Sequence, residues 1–371
     1  MKWISIIALF IACELKVHSQ EPIFFQYFMN PIYMNPALSG ETDGIRFTTS
    51  HRNQWKFVPS NFATTSYSID SWVPGPMSYS VLHLQNVEGE GSLENKYTSI
   101  GGGYRFQIKK DVKMQLGLQY QRNTRRIDWS KLVFTDNLDP MLGHINASSF
   151  IIPQNNVYNL NNFNFGSVVV ISPSKLKRNA WKQYYQFGFA VNNLIQSNNY
   201  GFISHNFNLK RKYSFHMRTY FNPFVRRSDL EAIHIPIYAQ FHGPLRTYQF
   251  GLEASQAFAE YSNGTGLIGV AYRLQNNSTK LGDRIGPNES LFLRVEYSKA
   301  VKKAKYTFSF SYGFTLSELT QRSSHGIYEL SLIIESSLIG QALFKLNDEK
   351  NEKRRQKNSM SCPFVKSYVF N

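Results

Sequence analysis

Tyr306-Thr307-Phe308-Ser309-Phe310-Ser311-Tyr312-Gly313-Phe314 alternates without a miss. Successive side chains of a β-strand point to opposite sides, so Tyr306, Phe308, Phe310, Tyr312 and Phe314 share one face. Thr307, Ser309, Ser311 and Gly313 share the other. One aromatic face and one small, polar face suit a sheet with lipid outside and a polar interior. Five more stretches repeat the pattern. Met114, Leu116, Leu118 and Tyr120 oppose Gln115, Gly117, Gln119 and Gln121, and Ile100, Tyr104, Phe106 and Ile108 oppose Gly101, Gly103, Arg105, Gln107 and Lys109. Tyr248, Phe250, Leu252 and Ala254 alternate with Gln249, Gly251, Glu253 and Ser255, and Leu291, Leu293, Val295 and Tyr297 with Phe292, Arg294, Glu296 and Ser298. Tyr328, Leu330, Leu332 and Ile334 alternate with Glu329, Ser331, Ile333 and Glu335. The charges keep to the polar face, which in a closed sheet is the lumen.

Eight further segments read as strands: Ile45–His51, Ala63–Asp70, Tyr79–Gln85, Phe163–Ile171, Tyr184–Asn192, Tyr213–Phe221, Ile233–Phe241 and Gly266–Leu274. Together they predict an all-β, antiparallel transmembrane outer-membrane β-barrel of about fourteen strands over residues 44–340, an even number as bacterial barrels use. Pro236 removes a ladder donor, so a bulge or irregularity is expected there. Gly101-Gly102-Gly103 is expected to mark close packing or curvature of the wall. Asp128 to Asn162, weakly patterned and rich in asparagine, reads as an extended loop, extracellular or folded into the lumen.

The ends read differently. Lys2 followed by the apolar run Trp3 to Ala12 predicts a signal peptide over residues 1–19, cut after Val17-His18-Ser19. Lipidation at Cys13 and a cytosolic protein with a chance apolar start are the alternatives. Residues 341–371 read as a charged tail, with Lys353-Arg354-Arg355 and Lys357 at its centre. No stretch reaches the ~20 apolar residues of a helical span. A 42% hydrophobic content with negative mean hydropathy still suits a barrel, because only alternate residues meet lipid. The 29 Phe and 22 Tyr suit its interfacial girdles. With Cys13 removed, Cys362 alone would remain, which excludes an internal disulfide and a cysteine metal site. The net charge of +16 becomes +15 once Lys2, Lys16 and Glu14 are lost with the signal. An exported barrel meets no nucleic acid, so lipid phosphates, acidic glycans or an acidic protein are the partners such a charge suggests.

No nucleophile elbow, zinc-binding helix pair, phosphate loop or cofactor motif appears, and no Ser/His/acid set assembles for a barrel hydrolase. The informative motif is Asn30-Pro31-Ile32-Tyr33-Met34-Asn35-Pro36-Ala37-Leu38-Ser39-Gly40. Each proline fixes its own φ and drives the asparagine before it out of helix. Residues 20–43 are thus expected to form a stiff, non-helical strap that leads the chain into the barrel, docks a partner or plugs the lumen. Arg52-Asn53-Gln54-Trp55 pairs a cation with an indole at a strand end, as an interface anchor would.

Phe25-Gln26-Tyr27, the double Asn-Pro with Ala37 and Gly40, and Arg52-x-Gln54-Trp55 closely resemble the PorP/SprF family of type IX secretion system membrane proteins. Phe187 to Leu194 is similar to the family's central strand. Ser311 to Ser317 with Ser324-His325-Gly326-Ile327-Tyr328-Glu329-Leu330-Ser331 resembles its closing hairpin, and Cys362-Pro363-Phe364 its ending. Three departures are visible: Gly313 where aspartate is common, Phe57 in place of glycine, and seven residues beyond Phe364. The resemblance implies a non-enzymatic barrel in the outer membrane of a Bacteroidetes-type bacterium. It would contact the periplasmic ring of the secretion machine or hold an exported adhesin for gliding, with no cofactor. The alternative is a general porin or solute channel.

Overall fold

Fourteen antiparallel strands close on themselves, each hydrogen-bonded to its neighbours in sequence. The structure is a computed structural model. It describes residues 21–42, 44–54, 62–73, 75–89, 93–139, 143–144, 148–153, 155–172, 182–195, 209–222, 230–258, 264–277, 288–301, 304–316 and 326–336. The first five barrel strands are β1 (Ile45–Gln54), β2 (Phe62–Trp72), β3 (Met77–Glu88), β4 (Leu93–Lys109) and β5 (Val112–Ile127). Then come β6 (Val157–Ile171), β7 (Lys182–Asn192), β8 (Lys212–Asn222), β9 (Leu230–His242) and β10 (Leu245–Phe258). The last four are β11 (Gly264–Asn277), β12 (Asn288–Val301), β13 (Ala304–Thr315) and β14 (Ile327–Ser336). Closure runs through β1 and β14, from Ile45 opposite Ser336 to Gln54 opposite Ile327. No helix among the described residues is long and apolar enough to cross a membrane.

Every expected strand forms, and period-two alternation decides which face each residue takes. On β13, Tyr306 and Phe308 are 45% and 50% exposed on the outside, whereas Ser309 is fully buried within. The charges of the polar faces find opposite charges in the lumen, as between Arg294 Nη1 and Glu253 Oε1 at 2.6 Å. β5 and β7 finish, and β6 and β8 start, at one end of the barrel, the long-loop end. β1 starts and β14 finishes at the opposite, short-turn end.

One expectation needs correction, and that for Pro236 holds as an irregularity rather than a bulge. The region from Asp128 to Asn162 is not all loop, because β6 begins at Val157 and pairs it with Arg126 of β5. The ladder continues where the outward residues turn polar, so apolar periodicity was a poor guide to its end. Within the loop, Phe150 packs on both Trp129 and Phe134, and Leu138–Asp139 pairs with Gly143–His144. Pro236 interrupts its pairing with β10 without changing register, while the bulge of β9 falls between Leu230 and Ala232. Gly251 stands opposite Pro236, where a Cβ would lie 2.8 Å from the proline ring.

Candidate functional site: a strap held in the lumen

Residues 21–42 lie inside the barrel. The two Asn-Pro pairs shape this strap differently from the expectation. Asn35 is extended and Asn30, at φ -130 and ψ 61, also lies outside the helical region, as the following prolines require. Each proline then opens a helical turn at its first position: α1 (Pro31–Met34) and the 3-10 turn Pro36–Leu38. The strap is therefore a chain of short helical turns rather than a non-helical rod. Asn35 caps the second turn by accepting from Ala37 N at 2.9 Å.

The strap descends the lumen from the long-loop end to the short-turn end. At the top, the Glu21 carboxylate accepts from Asn193, just past β7, and pairs with Lys212 at the start of β8. Burial pushes this carboxyl up. The Lys212 ammonium, helped by His242 and by hydrogen bonds from Lys212 and Asn193, outweighs that and brings its pKa down to about 2. Lys212 also sits 4.7 Å over the Tyr33 ring, whose hydroxyl donates to Pro22 O at 2.6 Å.

On the opposite wall, Glu329 of β14 accepts from Phe25 N at 2.7 Å and Gln26 N at 2.9 Å. Arg52 approaches the same carboxylate at 3.5 Å. Phe25 is clasped by Arg273 at 4.1 Å, Arg52 at 5.1 Å and the Phe292 ring at 3.6 Å. Phe292 is an aromatic residue on a lumen face, and Gly313 across from it leaves room for its ring: a Cβ there would come within 2.0 Å. Midway, Asn30 donates to Ser66 Oγ at 2.7 Å. The Asn35 amide donates to Ser167 O at 3.1 Å and Phe189 O at 3.2 Å, 3.1 Å from His216 Nε2. Tyr27, Met34, Ala37 and Leu38 bury their apolar surface against wall residues Val168, Val170, Tyr184, Tyr220, Ala232 and Tyr238.

The bottom is a clamp. Gly40 donates to Asp70 Oδ2 at 2.7 Å, and Asp70 is held by Arg46 at 2.9 Å. Arg46 also donates to Leu38 O, Arg105 to Gly40 O, and Gln115 to Ser39 O at 2.9, 2.7 and 2.6 Å. Gly40 has φ +60, and a Cβ would fall 2.6 Å from Ser78 Cβ. The wall is cut to fit as well. Gly117 and Gly166 stand opposite each other on β5 and β6, under the Asn35-Pro36-Ala37 segment. A Cβ on Gly117 would lie 2.4 Å from Ala37 N.

Of the sequence-derived candidates, Asn30, Pro31, Tyr33, Asn35, Pro36, Ala37 and Gly40 all belong to the strap, and Glu329 to the wall that grips it. Arg52 is not an interface anchor: it faces the lumen against Glu329 and Phe25 and donates to Gln54 Oε1. Odd and even positions of β1 face opposite ways, and Arg52 falls on the inner set. Gly326 precedes β14 with φ +82. Trp55 and His325 lie outside the described residues, as do the signal and the charged tail. Sequence reasoning missed Glu21, Lys212, Asp70, Arg273, Gly117 and Gly166. The two glycines had a signal: both occupy polar-face positions of neighbouring strands, where no local role required them.

No curated protein matches the chain. Among solved structures, the chain is similar to the CymD monoaromatic hydrocarbon channel (10% identity, TM-score 0.42, covering 83% of this chain and 92% of that one). It is also similar to Pseudomonas putida OprB (10%, TM-score 0.38, 79% and 94%) and to the translocator domain of autotransporter NalP from Neisseria meningitidis (10%, TM-score 0.33, 79% and 88%). At these scores none bears on function. Residues 16–334, by contrast, match the type IX secretion system membrane protein PorP/SprF, and the chain belongs to that family.

Proposed function

We propose that this protein is a non-enzymatic outer-membrane component of the type IX secretion system. It acts as a plugged scaffold or anchor for the periplasmic ring or for a secreted surface adhesin. The observation that carries this reading over a general porin or solute channel is the filled lumen. The strap is hydrogen-bonded to strands all round the wall, from Glu329 on β14 through Asp70 on β2 and Gln115 on β5 to Gln249 on β10. A lumen built to pass solutes would keep its polar face hydrated. Here that face is spent on holding a segment of the same chain. Contact with ring proteins would fall to the short-turn end, where the strap meets β1, and contact with cargo to the long loops.

Deleting the gene tests the reading. Surface display of type IX cargo and gliding should be lost while other outer-membrane barrels stay at normal levels. Unchanged export and motility would overturn it. Steady open pores from the purified wild-type protein in planar bilayers would favour the channel.

A further inference from the structure

β4, β5 and β6 are the longest strands, at 17, 16 and 15 residues. A tilted strand needs only about 9–11 residues to cross the hydrocarbon. Their outward apolar stretches are shorter than the strands. On β4 that stretch is Ile100 to Ile108, on β5 Val112 to Tyr120, and on β6 Phe163 to Ile171. The excess in all three lies at the long-loop end.

The register makes the boundary level. Ile100 stands opposite Tyr120 and Tyr120 opposite Phe163, with the last two rings 5.6 Å apart. This is an aromatic border of the kind that marks a membrane–water interface. One step above it, Thr98, Arg122 and Asn161 lie in a row across the three strands. The next row is Lys96, Thr124 and Asn159, and then come Glu94, Arg126 and Val157. Arg122 and Arg126 are exposed on the outer face. The Arg122 guanidinium makes no hydrogen bond or ion pair among the described residues. Lys96 is held by Glu94 at 3.0 Å, and Arg126 stands opposite Glu94 and acts on the Asp128 carboxylate, so Arg122 is the uncommitted cation of the patch and Arg126 adds positive charge beside it.

We infer that this raised outer face of β4–β6 binds a phosphorylated glycolipid of the surrounding leaflet. Acyl chains lie against Ile100, Leu118 and Phe163, the phosphate meets Arg122 and Arg126, and sugar hydroxyls meet Thr98, Asn159 and Asn161. Arginine matches phosphate through two parallel N–H donors, and a rise of about 3.3 Å per residue puts Arg122 one headgroup step above Tyr120. The wet rows continue directly from the lipid-facing belt, so a bound lipid spans both without leaving the membrane. The site accounts for part of the chain's excess positive charge.

The inference rests on the barrel lying in a membrane with its long loops outward. The test uses the full processed chain in detergent and counts bound lipid by native mass spectrometry. The probes are lipid A with both phosphates and the same lipid dephosphorylated. Wild-type protein should retain the phosphorylated form, and Arg122→Gln/Arg126→Gln should retain about tenfold less. Lys299→Gln, at the opposite rim, should bind as wild type. Equal retention of both lipids, equal loss in Lys299→Gln, or displacement of the lipid by a soluble acidic polysaccharide would overturn the site. A heat-shifted band on a semi-native gel shows that each variant still closes its barrel. A chain soluble without detergent would instead bring down the membrane reading beneath it.

Discussion

Gly166 lies so close to Asn35 that a Cβ on the glycine would come 1.9 Å from the Asn35 Oδ1. The two residues are far apart in the chain, yet one is shaped for the other. Asn35 Oδ1 is committed to capping the turn at Ala37, and its amide nitrogen to carbonyls of β6 and β7. It has no room to retreat.

Gly166→Val should therefore push the strap off the wall while leaving the outward face of β6 untouched. Overpacking of this kind costs about 1–3 kcal/mol, and the strap is the part able to yield. Wild-type protein should be silent in planar bilayers and the variant should show steady conductance. A silent Gly166→Val that still folds would mean that the strap is not what closes the lumen.

Glu329→Gln tests the upper grip. The substitution weakens the acceptor for Phe25 N and Gln26 N and strips the counter-charge from Arg52. Breaking a buried ion pair from one side costs about 3–5 kcal/mol. Limited proteolysis should cut the strap far faster than in wild type, and the barrel should lose its heat-shifted band at lower temperature. Equal protease resistance would place the strap's hold elsewhere.

Ser39 Oγ and Ser78 Oγ are 2.7 Å apart at the bottom of the lumen. In a Cys362→Ser background, Ser39→Cys/Ser78→Cys should form a disulfide in intact cells. A mild oxidant should drive it nearly to completion. Two free thiols after oxidation, in a correctly folded barrel, would show that the strap does not rest there in the membrane.

Acid should loosen the top of the strap first. The Glu21 pKa is depressed, so its contribution is fully present above the ordinary carboxylate value of 4.5 and is lost as pH falls towards about 2. Protease access to the strap should rise over that window, and Glu21→Gln should abolish the dependence while making the strap more accessible at neutral pH. A wild-type profile that stays flat between pH 5 and 2 would remove the Glu21–Lys212 pair from the account.

The wall was legible because its code is local. Tyr306 to Phe314 carry their own inside and outside in period two, and the same holds for the other thirteen strands. Legibility failed where that code fell silent. The outward residues of β6 just before Phe163, Asn159 and Asn161, are polar, so Val157 to Asn162 read as loop although the hydrogen-bonded ladder runs on through them. Arg52 was misread for a related reason: a cation and an indole at a strand end suggest an anchor, and only the closed sheet shows that Arg52 points inward at Glu329.

The sequence by itself determined the barrel, its strands and the peculiarity of the Asn-Pro segment, since alternation and proline geometry act over a few residues. Tertiary structure alone decided that this segment fills the lumen. Phe25 and Glu329 are 304 residues apart, and Gly117 gains its meaning only beneath Ala37. Such pairings arise when the sheet closes and sets opposite walls face to face, a distance over which periodicity carries no information.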